Sequence, residues 1–491
     1  MRELLGKPYV CFRPKADISH RDVNAVNSAF GGTVRNLIVL AALACGPAIA
    51  QAAPEGRVVQ RDLLKRIVEI PTVQGRTAEF RRLTALLTAE FHKAGITNVI
   101  VKDHDGTQTL IARWPAAKPN GKKPILLMAH MDVVEARASD WKNPPFELRE
   151  KDGYYVGRGT ADMKGRLAGL ILALQNLRRT GFQPSRDIVV LVTGDEETAT
   201  QGAPRAATEW RNLTDAEYAL NLDMGGGSIF SDGRADSYRI QLAEKTYADF
   251  KLVATNPGGT SATPRPDNAI YELAGALKAI ETHRFEPMIN EATRSFFRHI
   301  SATDGGRFGE LAKRFLADPK KREDADQLEA NIPGSTRTRC VATTVSAGHA
   351  SNALPQRAEA NVNCRIFPGV GIEAIRQELE AISGQDVAVA TVTETASPQT
   401  QPSPPRNDVT DALRGAIAAR FPGTPVVWYQ SAAASDGSFF RAAGMPVYGL
   451  GTSWEIIGQS SGAHGLNERL LIDAFYGQIP IMEDLLRRLA G

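Results

Sequence analysis

The stretch Pro124-Ile125-Leu126-Leu127-Met128-Ala129-His130-Met131-Asp132 decides the fold. Its first half is a short apolar run of the kind found in a strand that is buried on both faces. Similar runs follow at 188–192 and 219–222, and an apolar helical segment lies between the first two runs at 166–179. Strands that alternate with helices predict an α/β fold with a mainly parallel central sheet flanked by helices.

The pattern of the chain changes after residue 247. Residues 248–396 indicate the order strand, helix, strand, strand, helix, strand, with a charged helical stretch at 286–329 after the first helix. This order is typical of a ferredoxin-like α+β sheet with helices on one face. We therefore predict that this smaller domain is inserted into a larger α/β domain. The predicted segments are an N-terminal extension with signal peptide at 1–52, the larger domain at 53–247 and again at 397–491, and the insert at 248–396.

The overall composition is that of a soluble globular protein, with 43% apolar and 23% charged residues among 491. A chain of this length is expected to hold two domains rather than a single domain. The net charge is only +3, and Lys and Arg form no dense block. We therefore expect no nucleic-acid partner.

Residues 34–52 resemble a secretory signal. Arg35 precedes an apolar run at 37–44, and Ala50-Gln51-Ala52 follows as a small-x-small cleavage site. The run is too short to span a membrane. We expect export, to the periplasm, with cleavage after Ala52 and a true start at Val34. A buried N-terminal helix is the alternative, and Cys45 loosely suggests a lipoprotein site.

Two cysteines remain if the signal is removed, Cys340 and Cys364. The segments 340–346 and 357–365 resemble two strands joined by a loop, and antiparallel pairing would bring the two cysteines together. An exported protein could oxidise them to a disulfide. The alternative is a pair of small buried apolar side chains.

Five short segments carry side chains of the type that binds metals. Three of these segments follow the predicted strands, and residues at the carboxyl ends of strands in an open α/β sheet converge. Imidazole and carboxylate groups are the ligands of catalytic zinc sites. Each segment alone is a weak signal, but together they predict one metal site. The candidates are His130, Asp132, Asp162, Glu196, Glu197, Asp223 and His464.

From about residue 58 to 490 the chain resembles the co-catalytic dizinc metallopeptidase family of glutamate carboxypeptidase, carnosinase, bacterial dipeptidases and aminoacylase. The resemblance is carried by His130-Met-Asp-Val-Val, Gly157-Arg-Gly-Thr-Ala-Asp-Met-Lys-Gly and Gly194-Asp-Glu-Glu. It implies a zinc-dependent hydrolase of peptide bonds, of carboxypeptidase or dipeptidase type. An N-acyl-amino-acid amidohydrolase is the alternative, and a non-catalytic metal-dependent binding protein is a more distant one.

The resemblance also implies two zinc ions in each subunit, with Co²⁺ or Mn²⁺ as alternatives. Asp162 would bridge the two ions. His130 and Asp223 would complete one site, and Glu197 and His464 would complete the other. Asp132 would orient His130.

Further roles follow from the same resemblance. Glu196 would be the general base, and the peptide bond Asp162-Met163 is expected to be cis. The inserted domain would be a lid that caps the site and dimerises. Within it, Asn352 would contact the substrate or the oxyanion, and Arg365 would bind the substrate carboxylate.

The chain departs from the family pattern at one position of the lid. The family carries Gly-Gly-His where this sequence has Gly258-Gly259-Thr260. The missing His would reach the active site of the partner subunit and stabilise the oxyanion. Thr260 cannot supply that charge, so the expectation of a dimer is weakened. His349 is a candidate substitute.

Overall fold

A computed structural model describes residues 54–198, 200–393 and 397–491, which belong to one compact unit. The strands are β1 (Asn98–His104), β2 (Thr107–Trp114), β3 (Ile125–His130), β4 (Arg149–Lys151), β5 (Tyr154–Val156), β6 (Ile188–Thr193), β7 (Tyr218–Asn221), β8 (Gly226–Ile229), β9 (Ala235–Glu244), β10 (Thr246–Thr255), β11 (Gly259–Thr260), β12 (Arg339–Ala347), β13 (Ala353–Leu354), β14 (Arg357–Ile366), β15 (Val387–Val392), β16 (Val426–Ser431), β17 (Val447–Gly449), β18 (Trp454–Ile456) and β19 (Arg469–Leu471). The helices are α1 (Pro54–Val68), α2 (Thr77–Lys93), α3 (Lys164–Arg179), α4 (Gly202–Ala207), α5 (Arg211–Thr214), α6 (Ala269–Thr282), α7 (Glu291–Thr303), α8 (Arg307–Ala317), α9 (Arg322–Asn331), α10 (Ile372–Ser383), α11 (Asn407–Ile417), α12 (Gly437–Ala442) and α13 (Ile472–Ala490).

The larger sheet has ten strands in the order β1-β2-β6-β3-β7-β17-β9-β8-β18, with β16 beside β9. Its centre, from β6 through β3 and β7 to β17, is parallel. Antiparallel pairs lie on both sides of this centre, at β1-β2, β2-β6, β17-β9 and β8-β9. The predicted α/β fold is confirmed, with a sheet that is parallel at its centre and mixed over its full width.

Helices cover both faces of this sheet. Every residue of β3 is buried, and successive side chains enter different cores. Leu127 belongs to a core shared with α3, α11 and α13, whereas Leu126 and Met128 belong to a core shared with α4 and α12. Burial on both faces explains why the strand is a continuous apolar run rather than an alternating one.

The smaller sheet is antiparallel, in the order β12-β14-β10-β15. Phe250 and Leu252 of β10 are buried together with Leu273 of α6 and Leu379 of α10, so both helices pack on one face. The predicted ferredoxin-like arrangement is therefore present. We call this sheet, with α6 to α10, the lid.

A disulfide joins Cys340 and Cys364. The two residues stand opposite each other in the antiparallel pairing of β12 with β14. The predicted pairing of the two strands and the predicted bond are both confirmed.

The charged stretch at 286–329 forms three helices, α7 to α9, with a small core of their own. Phe297, Phe315 and Leu328 are buried in that core. The chain breaks between the helices at Gly305-Gly306 and at Asp318-Pro319, because glycine and proline favour turns over helix.

The limits of the domains remain predictions at 247, 396 and 397. The signal-like segment at 34–52, with its cleavage after Ala52, lies outside the described residues. Within residues 54–198, 200–393 and 397–491, no helix is both long enough and apolar enough to cross a membrane.

Candidate active site

Parallel strands of the larger sheet deliver most of the predicted ligands to one edge. His130 is the last residue of β3, Glu196 and Glu197 follow β6, and Asp223 follows β7. Asp162 precedes α3, which packs against this sheet. Because the carboxyl ends of parallel strands meet at one edge, residues far apart in sequence come together there.

Asp162 lies between two histidines. Its Oδ1 is 3.2 Å from Nε2 of His130, and its Oδ2 is 3.1 Å from Nε2 of His464. Asp223 lies on the His130 side, with Oδ1 3.6 Å from His130 Nε2. Glu197 lies on the other side, with Oε1 2.9 Å from His464 Nε2. The two oxygens of one carboxylate thus face two separate groups of ligands.

Ligand atoms of these residues lie close enough together to hold metal ions. The atoms of His130, Asp162 and Asp223 are within 4.8 Å of one another, and so are those of Asp162, Glu197 and His464. These are the two sets that the resemblance implied, and a third group, His130 with Glu196 and Glu197, is equally close. Their nitrogen and oxygen donors are of the type that binds divalent ions such as zinc.

Asp132 connects the two halves of the site. Its carboxylate accepts backbone N–H bonds from Glu196 at 3.2 Å and from Glu197 at 2.9 Å. Nδ1 of His130 lies 3.2 Å from the Asp132 carbonyl and 3.5 Å from its Oδ1. The buried Asp132 side chain therefore fixes both the imidazole and the turn that carries the two glutamates.

The protein balances these charges internally. Burial lowers the pKa of His130, but contacts with Asp132, Asp162 and Asp223 outweigh burial and raise it well above the usual value. Asp162 and Glu197 raise the pKa of His464 to about 10. The same imidazoles hold the pKa of Asp162 below its usual value despite burial. Divalent ions would replace the protons that these groups carry.

Glu468 is a residue that the sequence did not identify. Its buried carboxylate pairs with Arg158 at 2.7 Å and accepts the backbone N–H groups of Gly159, Ala161 and Asp162 at 2.9 Å each. It holds the loop that carries Asp162. Arg158 lies in the motif that carries Asp162, and Glu468 lies close to His464 in the sequence. Their opposite charges alone did not predict that the two residues pair.

The peptide bond Asp162-Met163 is cis, as the resemblance implied.

Asp436 is a second residue that the sequence did not identify. Its buried carboxylate accepts a hydrogen bond from Thr193 Oγ1 at 2.5 Å, and burial raises its pKa to about 8. Asp436 lines a small space together with His130 and other residues of the site.

The ligands open into a cleft of about 1020 Å³ that also reaches the lid. Arg365 of β14 lies in its wall, and its guanidinium stacks 4.7 Å from the ring centre of Tyr247. Arg365 forms no ion pair with any residue that the structure describes, and burial lowers its pKa. The lining includes Asp162, Arg166, Glu196, Glu197, Asp223, Met224, Tyr247, Arg365, Phe439, Glu455 and His464.

The structure brings Arg365 to the cleft but not Asn352. The pairing of β11 with β13 and the bond from Ser261 N–H to the Asn352 carbonyl hold this loop away from the lining residues. Asn352 and His349 are exposed on the loop between β12 and β14, and Thr260 is exposed on β11. The roles of Asn352 and His349 at the site remain predictions.

Residues 126–488 match the model of peptidase family M20/M25/M40. The chain belongs to this family. A metallo-carboxypeptidase of the M20 family from Sulfolobus solfataricus has a similar fold, with a TM-score of 0.65 and 19% identity over 87% of this chain and 98% of that one. Membership of the family makes the chain an M20 metallopeptidase, an enzyme that hydrolyses amide or peptide bonds.

Two other proteins are similar to this chain. An N-fatty-acyl-amino acid synthase/hydrolase from Danio rerio is 26% identical over 442 residues, which cover 86% of this chain and 84% of the relative. A dinuclear metal-binding M20 peptidase from Bacillus subtilis has a TM-score of 0.58 and 13% identity, over 89% of this chain and 99% of that one. The second likeness shows the fold alone.

Proposed function

We propose that this M20 enzyme is a dizinc hydrolase that cleaves a peptide bond next to a free carboxylate, as a carboxypeptidase or dipeptidase does. The proposal rests chiefly on Asp162, whose two oxygens lie 3.2 and 3.1 Å from different histidines. A carboxylate placed in this way suits a bridge between two divalent ions. Arg365, which has no ion pair among the described residues, suits a substrate carboxylate on the wall of the same cleft.

The residues present fit two zinc ions. Asp162 with His130 and Asp223 would hold one ion, and Asp162 with Glu197 and His464 would hold the other. Each set supplies three protein donors, which is the number found in catalytic zinc sites. When bound, the two ions would supply Lewis-acid polarisation of the scissile carbonyl and would acidify the attacking water. Co²⁺ and Mn²⁺ accept similar donors.

Glu196 is the general base in this proposal. It lines the cleft with the ligands, and burial raises its pKa well above the usual value for a glutamate. A base of raised pKa can accept the proton of water and return it to the leaving nitrogen. Asp132 holds Glu196 in place through the backbone N–H bond described above.

Arg365 would bind the substrate carboxylate. A guanidinium presents a planar set of donors that matches a carboxylate in two parallel hydrogen bonds. Tyr247, which stacks on Arg365, donates its hydroxyl to Asp249 Oδ2 at 2.9 Å. The ring is therefore fixed, and it limits the directions in which the guanidinium can turn.

Hydrolysis of N-acyl amino acids is the second candidate. The relative from Danio rerio named above acts on N-fatty-acyl amino acids. Apolar side chains for an acyl group also line the cleft here, at Pro204, Met224 and Phe439. Both candidate reactions place a free carboxylate at Arg365 and differ only in the group on the other side of the amide.

The test is an assay of the purified, zinc-loaded enzyme with dipeptides, longer peptides and N-acyl amino acids. We expect turnover that a chelator abolishes and zinc restores. Substrates whose carboxylate is replaced by a carboxamide should be cleaved about tenfold more slowly or worse, since they lose a charge-assisted bond. Absence of turnover on all three classes would refute the proposal.

We also propose that the lid forms a homodimer. β12 is an edge strand of the smaller sheet, and Val341 and Val345 on it are 61% and 67% exposed. An exposed apolar edge strand is a ready site for pairing with a second copy. Light scattering should show a dimer, and Val345→Lys should give a monomer if β12 forms the contact.

Export to the periplasm, with the signal at 34–52, is proposed from the sequence pattern. The disulfide between Cys340 and Cys364 supports it, because such bonds persist in oxidising compartments. Fractionation of producing cells followed by N-terminal sequencing would test it. A mature chain that starts before residue 34 would contradict the proposed signal.

A further inference from the structure

A second cavity, of about 910 Å³, adjoins the catalytic cleft at Arg365. Arg365 lines both spaces. The neighbouring residues Ala432 and Ala433 line one space each, Ala432 the second cavity and Ala433 the cleft. The two spaces therefore meet at the Arg365 side chain.

Lys245 lies in the wall of this second cavity and is only 1% exposed. Its ammonium donates a hydrogen bond to the carbonyl oxygen of Arg337. Of the described residues, none places a carboxylate within 4 Å of this ammonium. An ammonium has three donors, and a buried charge without a counterion is unfavourable. Lys245 therefore has unused capacity to bind an anion.

Positive charge exceeds negative charge around this cavity. Lys245, Arg339 and Arg365 all line it, and the nearest acid that bears on Lys245 is Glu329. Glu329 lies 3.7 Å from Arg339 Nε, and its oxygens already accept bonds from Thr336 and from the Gly334 N–H. Asp249 is the acid that bears on Arg365. Two carboxylates, neither of which lines the cavity, thus face three cations that do.

The remaining charged residues of the cavity do not change this balance. Lys278 and Glu281 at its rim form an ion pair of 2.7 Å and neutralise each other. The other walls are mainly apolar, including Leu277, Ile280 and Val341, and Asn363 is the polar exception among the described lining residues. The cavity therefore combines an apolar surface with a net positive end.

We infer that this cavity binds a second carboxylate, carried by the side chain of the residue that the enzyme releases. The inference rests on the proposed function, in which the α-carboxylate of that residue binds Arg365. Its side chain branches from the carbon atom that bears the α-carboxylate, so it begins where the two spaces meet. Lys245 and Arg339 would hold the acidic end, and the apolar walls would contact the methylene groups. The preferred substrates are then amides of dicarboxylic amino acids.

Isosteric substrate pairs test this inference with the zinc-loaded enzyme. The pairs are Ala-Glu with Ala-Gln, and N-acetyl-Glu with N-acetyl-Gln, because each pair differs only in the side-chain charge. We expect kcat/KM to be about tenfold or more higher for the acidic member, which is the size of a charge-assisted hydrogen bond. Equal values within a pair would overturn the inference but leave the proposed function standing. Failure to cleave any of the four would overturn the inference, and the full set of substrates in the first assay would then decide the proposed function.

Two variants assign the preference to the cavity. Lys245→Met keeps most of the side-chain volume but removes the charge, and Arg339→Gln does the same at a residue that is half exposed. Each should lower the ratio of acidic to neutral kcat/KM by roughly threefold to tenfold, and Lys251→Met, on the exposed side of β10, should leave it unchanged. If Lys245→Met does not fold, Arg339→Gln decides. An unchanged ratio in the folded variants would show that the preference arises elsewhere.

Discussion

The two charged regions of the cleft differ in how their charges are balanced. At the edge of the larger sheet, carboxylates and imidazoles face one another, so that Asp162 alone contacts two histidines. Where the second cavity meets the cleft, neither Arg365 nor Lys245 has a carboxylate within 4 Å among the described side chains. The first region contains its own counterions, whereas the second requires them from outside.

This difference indicates what each region binds. A group of carboxylates that is neutralised by protonated imidazoles can exchange those protons for divalent cations. A buried cation without a counterion is stabilised when an anion arrives, or, for a lysine, when it loses its proton. The region of carboxylates and imidazoles therefore suits metal ions that would act on the amide bond. Arg365 and Lys245 suit the negatively charged groups of the substrate.

We expect the largest effect from the loss of the proposed base, Glu196, in the region of carboxylates and imidazoles. Glu196→Gln should lower kcat by roughly 10²- to 10⁴-fold, since the carboxylate no longer accepts a proton. Metal content measured by atomic emission should stay at the wild-type level. Glu310→Gln on the exposed face of α8 is the control. A kcat within tenfold of the wild type would remove Glu196 from its proposed role.

The burial of Lys245 without a counterion should make the free energy of unfolding depend on pH. Burial, with Arg339, Arg365 and Arg337 nearby and only Glu329 opposing them, lowers the pKa of Lys245 from 10.5 to about 8. The unfolded chain thus binds the extra proton between these values, so the wild type should gain stability as the pH rises from 8 to 10.5. The gain is about 3 kcal/mol.

Urea denaturation at pH 7, 8.5 and 10 would measure this gain. Lys245→Met lacks the titrating group, so the free energy of unfolding of the wild type should approach or overtake that of the variant at high pH. Lys251→Met should follow the wild type. A constant difference between the wild type and Lys245→Met across this range would show that Lys245 is not destabilised by its surroundings.

A substitution of Arg365 tests whether this side chain binds the substrate carboxylate. Arg365→Met should raise KM for substrates with a free carboxylate by roughly ten- to hundredfold, because a charge-assisted bond is lost. The same substrates capped as carboxamides should change far less. Steady-state kinetics on the two series gives the answer. An equal loss for both series would mean that Arg365 supports the lid rather than the substrate.

Tyr247 should have the smallest effect. Tyr247→Leu removes the ring beneath Arg365 and should raise KM for carboxylate substrates about two- to fivefold, the size of an exposed cation–π contact. Tyr247→Phe keeps the ring and loses only the bond to Asp249, so it should lie between the wild type and Tyr247→Leu. If Tyr247→Phe and Tyr247→Leu behave alike, the hydroxyl rather than the ring positions Arg365.

The sequence was sufficient for the regions governed by periodicity. The buried strands β3, β6 and β7 were visible as apolar runs, and their carboxyl ends carry His130, Glu196 and Asp223. The alternation of β10 and the order of the lid elements likewise follow from local patterns. Ligands at strand ends could therefore be predicted before their distances were known.

Contacts between distant residues could not be read in this way. Glu468 is 306 residues from Asp162, whose N–H it accepts, and no local pattern links the two. Lys245 lies between β9 and β10 without any motif, and its importance comes only from the absence of a nearby carboxylate among the described side chains. The division of 286–329 into α7, α8 and α9 depended on turns that helical spacing alone does not locate.

The position of Glu468 has a consequence for biosynthesis. Together with His464, it follows the lid in the chain, yet it holds the loop of Asp162, which precedes the lid. A ribosome that has just produced the lid has not yet supplied these two residues. The nascent protein therefore lacks His464 of one proposed metal site and the carboxylate that holds Asp162. We expect hydrolysis only after the chain beyond the lid has been made.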